Sequence, residues 1–192
     1  GRMLFYRQAY SQMDRYGLIG DMSSAALVGM DGSIDWCCIP RFDSAALFSR
    51  ILDSDKGGFL KLAPVNIGES SRKYRPNTNI LETSFNTSTG SGALIDFMPV
   101  HRHTPRPREP LEVTDFQRMV RILHCTQGRL DFEMDCYPRF DYGIIVPHAS
   151  LSCPRTGMAH GGADAVSVFC SAPLSVLNDG FRVRGAIFER EK

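Results

Sequence analysis

Apolar and polar positions alternate in short runs along most of this chain, and small polar or glycine-bearing stretches separate the runs. That rhythm predicts an all-β fold. The clearest unit spans 25–38. Residues 25–29 read as an incoming strand and 34–38 as an outgoing one, with Asp31-Gly32 between them. Asp-Gly between apolar runs is a strong hairpin signal, because the turn needs a positive φ. Pro40 ends the outgoing strand, since it cannot donate to a ladder. Ser44 is placed to cap a short helix over 45–52. Further strands are predicted at 59–63, at 80–87 with 93–100 as its hairpin partner, and at 116–126 and 130–137 on either side of a Gln127-Gly128-Arg129 turn. Short strands follow at 163–171, 174–177 and 181–189, whereas 64–71 reads as loop.

Composition narrows the class. The chain has 192 residues, 43% hydrophobic and 22% charged, enough for one domain with a real core. A net charge of +1 argues against a general nucleic-acid binder. No apolar run approaches the roughly 20 residues of a membrane-spanning helix. The amino terminus lacks the apolar core of a signal peptide, and Gly1 is not an initiator, so 1–16 reads as a lead-in or a remnant of cloning. Of the six cysteines, Cys37 and Cys38 are adjacent on a strand and point to opposite faces, and no C-x-x-C occurs. Buried, reduced thiols and a cytoplasmic location are the expectation.

Candidate chemistry is sparse. The segment 101–110, with His101, Arg102, His103, Arg106 and Arg108 among three prolines, reads as a solvated connection, with an anion site as the sharper alternative. Asp131, Glu133 and Asp135 are spaced as one solvated row on a strand. His124 reads as a core histidine, and His148 and His160 have no partner at metal-ligand spacing in the sequence. No nucleophile elbow, P-loop or dinucleotide fingerprint is present, and no cofactor or metal is expected.

One succession of residues is specific. Leu18-Ile19-Gly20-Asp21, Ala25-Ala26-Leu27-Val28, Asp31-Gly32-Ser33-Ile34-Asp35-Trp36 and Pro40-Arg41-Phe42-Asp43-Ser44 follow in order, and Pro138-Arg139-Phe140-Asp141 with Pro147 repeats the last element. This succession resembles the N-terminal, trehalase-like domain of bacterial and archaeal family 15 glycoside hydrolases, a family of glucoamylase-like and trehalase-like enzymes. The resemblance implies an antiparallel two-sheet β-sandwich of the supersandwich type, with one or two short helices, over 17–192. In such proteins an (α/α)6 barrel follows and carries two catalytic glutamates, and the whole enzyme hydrolyses an α-glucosidic bond with inversion. No barrel segment occurs in this sequence, so no catalytic residue is assigned. The chain reads as a non-catalytic domain, without its last strands, whose partners are its own barrel and, in the whole protein, an α-glucoside. Self-association through an exposed docking face is a further possibility. Trp36, Arg41, Phe42 and Asp43 are candidates for the rim of the barrel's site, and Arg139, Asp141 and Tyr142 form a second set. Beside these stand plainer readings: Trp36 as core, each Arg-Asp pair as a loop lock, and the chain as a free-standing carbohydrate-binding or structural module.

Overall fold

The Asp31-Gly32 hairpin forms as predicted. The Gly32 N–H donates to the Gly29 carbonyl at 3.1 Å, and Gly32 is left-handed with φ 77°. A Cβ there would lie 2.3 Å from the Leu62 carbonyl oxygen, so only glycine fits. The computed structural model of the chain describes residues 15–39, 41, 43–100 and 117–190. Pro40, the candidate Phe42 and the basic segment 101–110 lie outside the described residues.

Fourteen strands are described: β1 Tyr16–Gly20, β2 Ala25–Gly29, β3 Ser33–Cys38, β4 Ala46–Phe48, β5 Phe59–Pro64, β6 Glu69–Tyr74, β7 Leu81–Asn86, β8 Gly90–Phe97, β9 Val120–Tyr137, β10 His148–Cys153, β11 Thr156–Gly161, β12 Asp164–Phe169, β13 Ser175–Leu177 and β14 Gly180–Phe188. Eleven form one sheet in the order β1-β2-β3-β5-β9-β8-β7-β6, with β4 on β3, β14 on β9 and β13 on β14; β10-β11-β12 form a second. The pairings are antiparallel. The fold is an all-β sandwich.

The strand that builds it is β9. The sequence predicts two strands and a turn here, but the structure carries one strand through. Gln127 pairs with Ser91 and Gly128 with Gly90, while Arg129 pairs with Phe188 of β14. The residues before and after Gly128 have different partners, so the chain bends there without folding back. The glycine that signals a turn instead marks this bend, with φ 68° and a ladder irregularity between Ser91 and Gly92 opposite. The first half of β9 pairs with β8, and the second half lies between β5 and β14.

The bend brings the two halves of the large sheet face to face. The Tyr74 hydroxyl of β6 donates to the Leu18 carbonyl of β1 at 2.8 Å and accepts from the Leu18 N–H at 2.9 Å. Between the layers lie Ile19, Val28, Ile34, Leu81, Met134 and Phe181, all buried. The small sheet packs on β14: a Cβ at Gly157 of β11 would lie 2.3 Å from the Phe181 ring.

The predicted helix at 45–52 is not formed. Ala46, Leu47 and Phe48 are all buried, and β4 pairs with the end of β3 through Cys37–Phe48 and Cys38–Ala46. Ser44 closes a turn instead: its N–H donates to the Arg41 carbonyl, and its Oγ accepts from the Arg41 N–H. Burial on both sides of the chain suits a strand covered on two faces, not an amphipathic helix. The helical structure among the described residues is a single 3-10 turn, Asp141–Gly143. Strands β1, β4, β6, β10 and β11 have no clear counterpart in the sequence reading. Strand β6 is polar throughout, and β11 presents only small residues, Gly157 and Ala159, to the core.

Asp96 of β8 and Arg121 of β9 are directly opposed and buried, 0% and 5% exposed, and bond through both carboxylate oxygens at 2.7 and 3.1 Å. Arg121 also donates to the Leu60 carbonyl of β5 at 3.2 Å. Removing one partner strands a buried charge. Asp96→Ala and Arg121→Ala are each predicted to cost about 3–5 kcal/mol in urea unfolding, and the double variant markedly less than their sum.

Candidate functional site at one end of the sandwich

The registers bring separate loops to one end. Strand β1 runs into the turn at 21–24, and β2 leaves it with Ala25 opposite Cys38, the last residue of β3. The loop with Arg41 and Asp43 therefore sits beside that turn. Tyr137, the last residue of β9, pairs with Phe59, the first of β5, so the second Pro-Arg-Phe-Asp copy emerges at the same end. Strand β4 joins the copies: the Arg139 N–H donates to the Leu47 carbonyl at 3.1 Å.

Each candidate can now be placed. Arg41 and Asp43 form a two-bond ion pair at 2.9 and 3.2 Å, and both side chains are 72% exposed. Arg139 is a lock. Its guanidinium donates to the carbonyls of Pro138, Asn178 and Asp179 and lies 5.6 Å from the Tyr137 ring centroid. It does not pair with Asp141. Asp141 and Tyr142 are both left-handed, with φ 49° and 55°, a costly conformation for side-chain-bearing residues. The turn presents the Tyr142 ring to solvent. Trp36 is not core. It is half-buried opposite Leu27, which in turn pairs with the exposed Leu18, so it belongs to an apolar row on the face turned away from the core.

Exposed apolar side chains that the sequence reading did not single out share this end: Met22, Leu52, Ile144 and Val146. Met22 is 87% exposed and left-handed, with φ 84°. Asp21 imposes that turn, its Oδ1 accepting from the Ser23 and Ser24 N–H groups at 2.9 and 2.8 Å. A short polar residue followed by an apolar one in a tight turn is the signal that could have found it.

A polar network centred on Asp35 links β1, β3 and the loop after β4. Asp35 accepts from the Tyr16 hydroxyl at 2.6 Å and from Arg50 Nε at 2.7 Å, and Ser33 Oγ lies 3.1 Å from it. The Arg50 guanidinium stacks 4.0 Å from the Phe59 ring centroid. Arg50 thereby fastens the 49–58 loop to the sheet. On the same outer face, the predicted acidic row is paired across strands: Glu133 with Lys61 and Arg184, Asp135 with Arg182 and Arg184, and Asp131 with Arg129.

The six cysteines are free. Cys37, Cys38 and Cys136 are buried as expected, and burial raises all three thiol pKa values, Cys136 to about 12. Burial, then the Asp35 hydrogen bond, also raises Tyr16. Cys153 differs from the expectation: it is exposed, and hydrogen bonds from the Thr156 side chain and the Arg155 N–H lower its pKa. Above about pH 9 the unfolded chain releases thiol protons that the folded chain keeps, so stability is predicted to fall as pH rises from there. Chemical denaturation between pH 7 and 10.5 checks this, and thiol labelling of the native protein is predicted to reach Cys153 before Cys37 or Cys136.

Among the described residues, no group of three or more His, Cys, Asp or Glu is arranged to hold a metal ion, and no helix is long and apolar enough to cross a membrane.

Residues 2–171 match the family described as trehalase-like, N-terminal. The chain is 31% identical over 161 residues to a trehalase of Mycolicibacterium smegmatis, covering 80% of this chain and 24% of that protein. It is 30% identical to a trehalase of Mycobacterium tuberculosis, covering 71% and 21%, and 32% identical to one of Thermoplasma volcanium, covering 73% and 22%. The chain thus spans less than a quarter of the length of these relatives. No solved structure matches it significantly. Order of motifs, all-β sandwich and these matches agree: the chain belongs to the trehalase-like, N-terminal domain family.

Proposed function

We propose that this chain, over 17–192, is the non-catalytic N-terminal β-sandwich of a trehalase-like glycoside hydrolase of family 15. The parent enzyme hydrolyses an α-glucosidic bond with inversion, and trehalose is the substrate that the relatives, each a trehalase, favour. The sandwich packs on an (α/α)6 barrel and shapes one rim of its site. The observation that carries this reading is the convergence at one end of Met22, Leu52, Tyr142 and Ile144, all exposed, beside the Arg41–Asp43 pair. Apolar groups around a few oriented polar ones are what a docking rim over a sugar site needs. The outer-face carboxylates that are held by arginine and lysine favour a structural role for that face, because a general acid must be free to exchange its proton.

Sequence supplies the loop, and packing of β4 against the 3-10 turn supplies its position; function is assigned to the exposed pair because an ion pair this accessible contributes little to stability. In the full-length enzyme, Arg41→Ala and Asp43→Ala are predicted to lower kcat/KM for trehalose about 10- to 100-fold, as for loss of a hydrogen bond to a charged group, with little change in melting temperature. Unchanged kcat/KM in both variants overturns the rim assignment.

A further inference from the structure

The β10–β11 ladder pairs two histidines that the sequence keeps apart. His148 and His160 are directly opposed, and the next opposed pair, Ala149 and Ala159, is buried. Strand alternation therefore turns both imidazoles to the exposed face. Their ring centroids are 5.6 Å apart and their planes meet at 58°. Among the described residues neither ring has a hydrogen-bond or ion-pair partner; each has the other as its ring contact.

That separation is the one a shared metal ion needs. An ion about 2.0–2.1 Å from an imidazole nitrogen lies about 3.2 Å from the ring centroid, so two imidazoles on one ion have centroids about 5–6 Å apart. The scaffold is stiff: β11 is paired on both edges, and Gly157 is seated against the Phe181 ring. Met158, exposed and two residues from His160 on the same face of β11, adds a soft thioether nearby.

We propose that His148 and His160 form a two-imidazole chelating site for a transition-metal ion of the Zn2+, Ni2+ or Cu2+ class. Imidazole ligands suit these ions, whereas Mg2+ and Ca2+ require oxygen. The remaining coordination positions are open to water or to a donor from a docked surface.

Calorimetric titration of the untagged protein with ZnCl2 tests the site. The expected result is micromolar binding of one ion, weakened at least about 10-fold in His148→Ala and in His160→Ala, unaltered in a His101→Ala/His103→Ala double variant, and absent with MgCl2. The metal-free circular dichroism of each variant verifies that the sheet is intact. Should either variant fail to fold, selective broadening of the His148 and His160 ring resonances by Ni2+ in the unsubstituted protein provides the same test. No Zn2+ binding, binding that survives both single substitutions, or binding lost only in the His101/His103 variant overturns the proposal.

Discussion

The buried Asp96–Arg121 pair sets the register on which both layers depend. Two charges leave water here, and they are tolerated because every strong direction is answered: both carboxylate oxygens by the guanidinium, and a further N–H by the Leu60 carbonyl. A slip of one residue between β8 and β9 would place Arg121 opposite an apolar neighbour and leave two buried charges unpaired. The bond to Leu60 reaches from the first half of β9 to β5, which is itself paired with the second half. One arginine thus ties the bent strand to both halves of the large sheet, and the rest of that sheet is hung from β9.

The two faces of the large sheet then divide the work. The inner face carries Ile34, Met134, Phe181 and Val183 into a common core, and burial of such side chains contributes about 1.5–3 kcal/mol each. The outer face carries Lys61, Glu133, Asp135, Arg182 and Arg184 as a cross-strand ladder, with the half-buried Trp36 and the exposed Leu18 toward β1. The end of the sandwich differs from both. Its loops hold left-handed Met22, Asp141 and Tyr142, and strain of this kind gathers where a surface is shaped for contact.

Much of this was legible in local patterns. The Asp31-Gly32 turn, the alternation of β9 and the motif order each rest on nearest-neighbour chemistry, which a sequence displays directly. What failed to show was decided by partners distant in the chain. Gly128 marks a bend because β8 and β14 take over its neighbours in turn; Ala46 to Phe48 form a strand because β3 offers an edge. Arg139 serves the β13–β14 turn, not Asp141, and the two histidines meet only through a ladder. Asp35 belongs to a sequence motif, but its role as the acceptor for Tyr16 and Arg50 is visible only in the folded chain.

In the proposed role, this sandwich completes a trehalase-like enzyme from outside the catalytic centre. The most direct measurement is trehalose hydrolysis by the remainder of the full-length protein, expressed without this domain, before and after the domain is added in trans. The account predicts a stable complex and activity that appears or rises steeply on addition. Full activity of the remainder alone, with no association between the two, would contradict it.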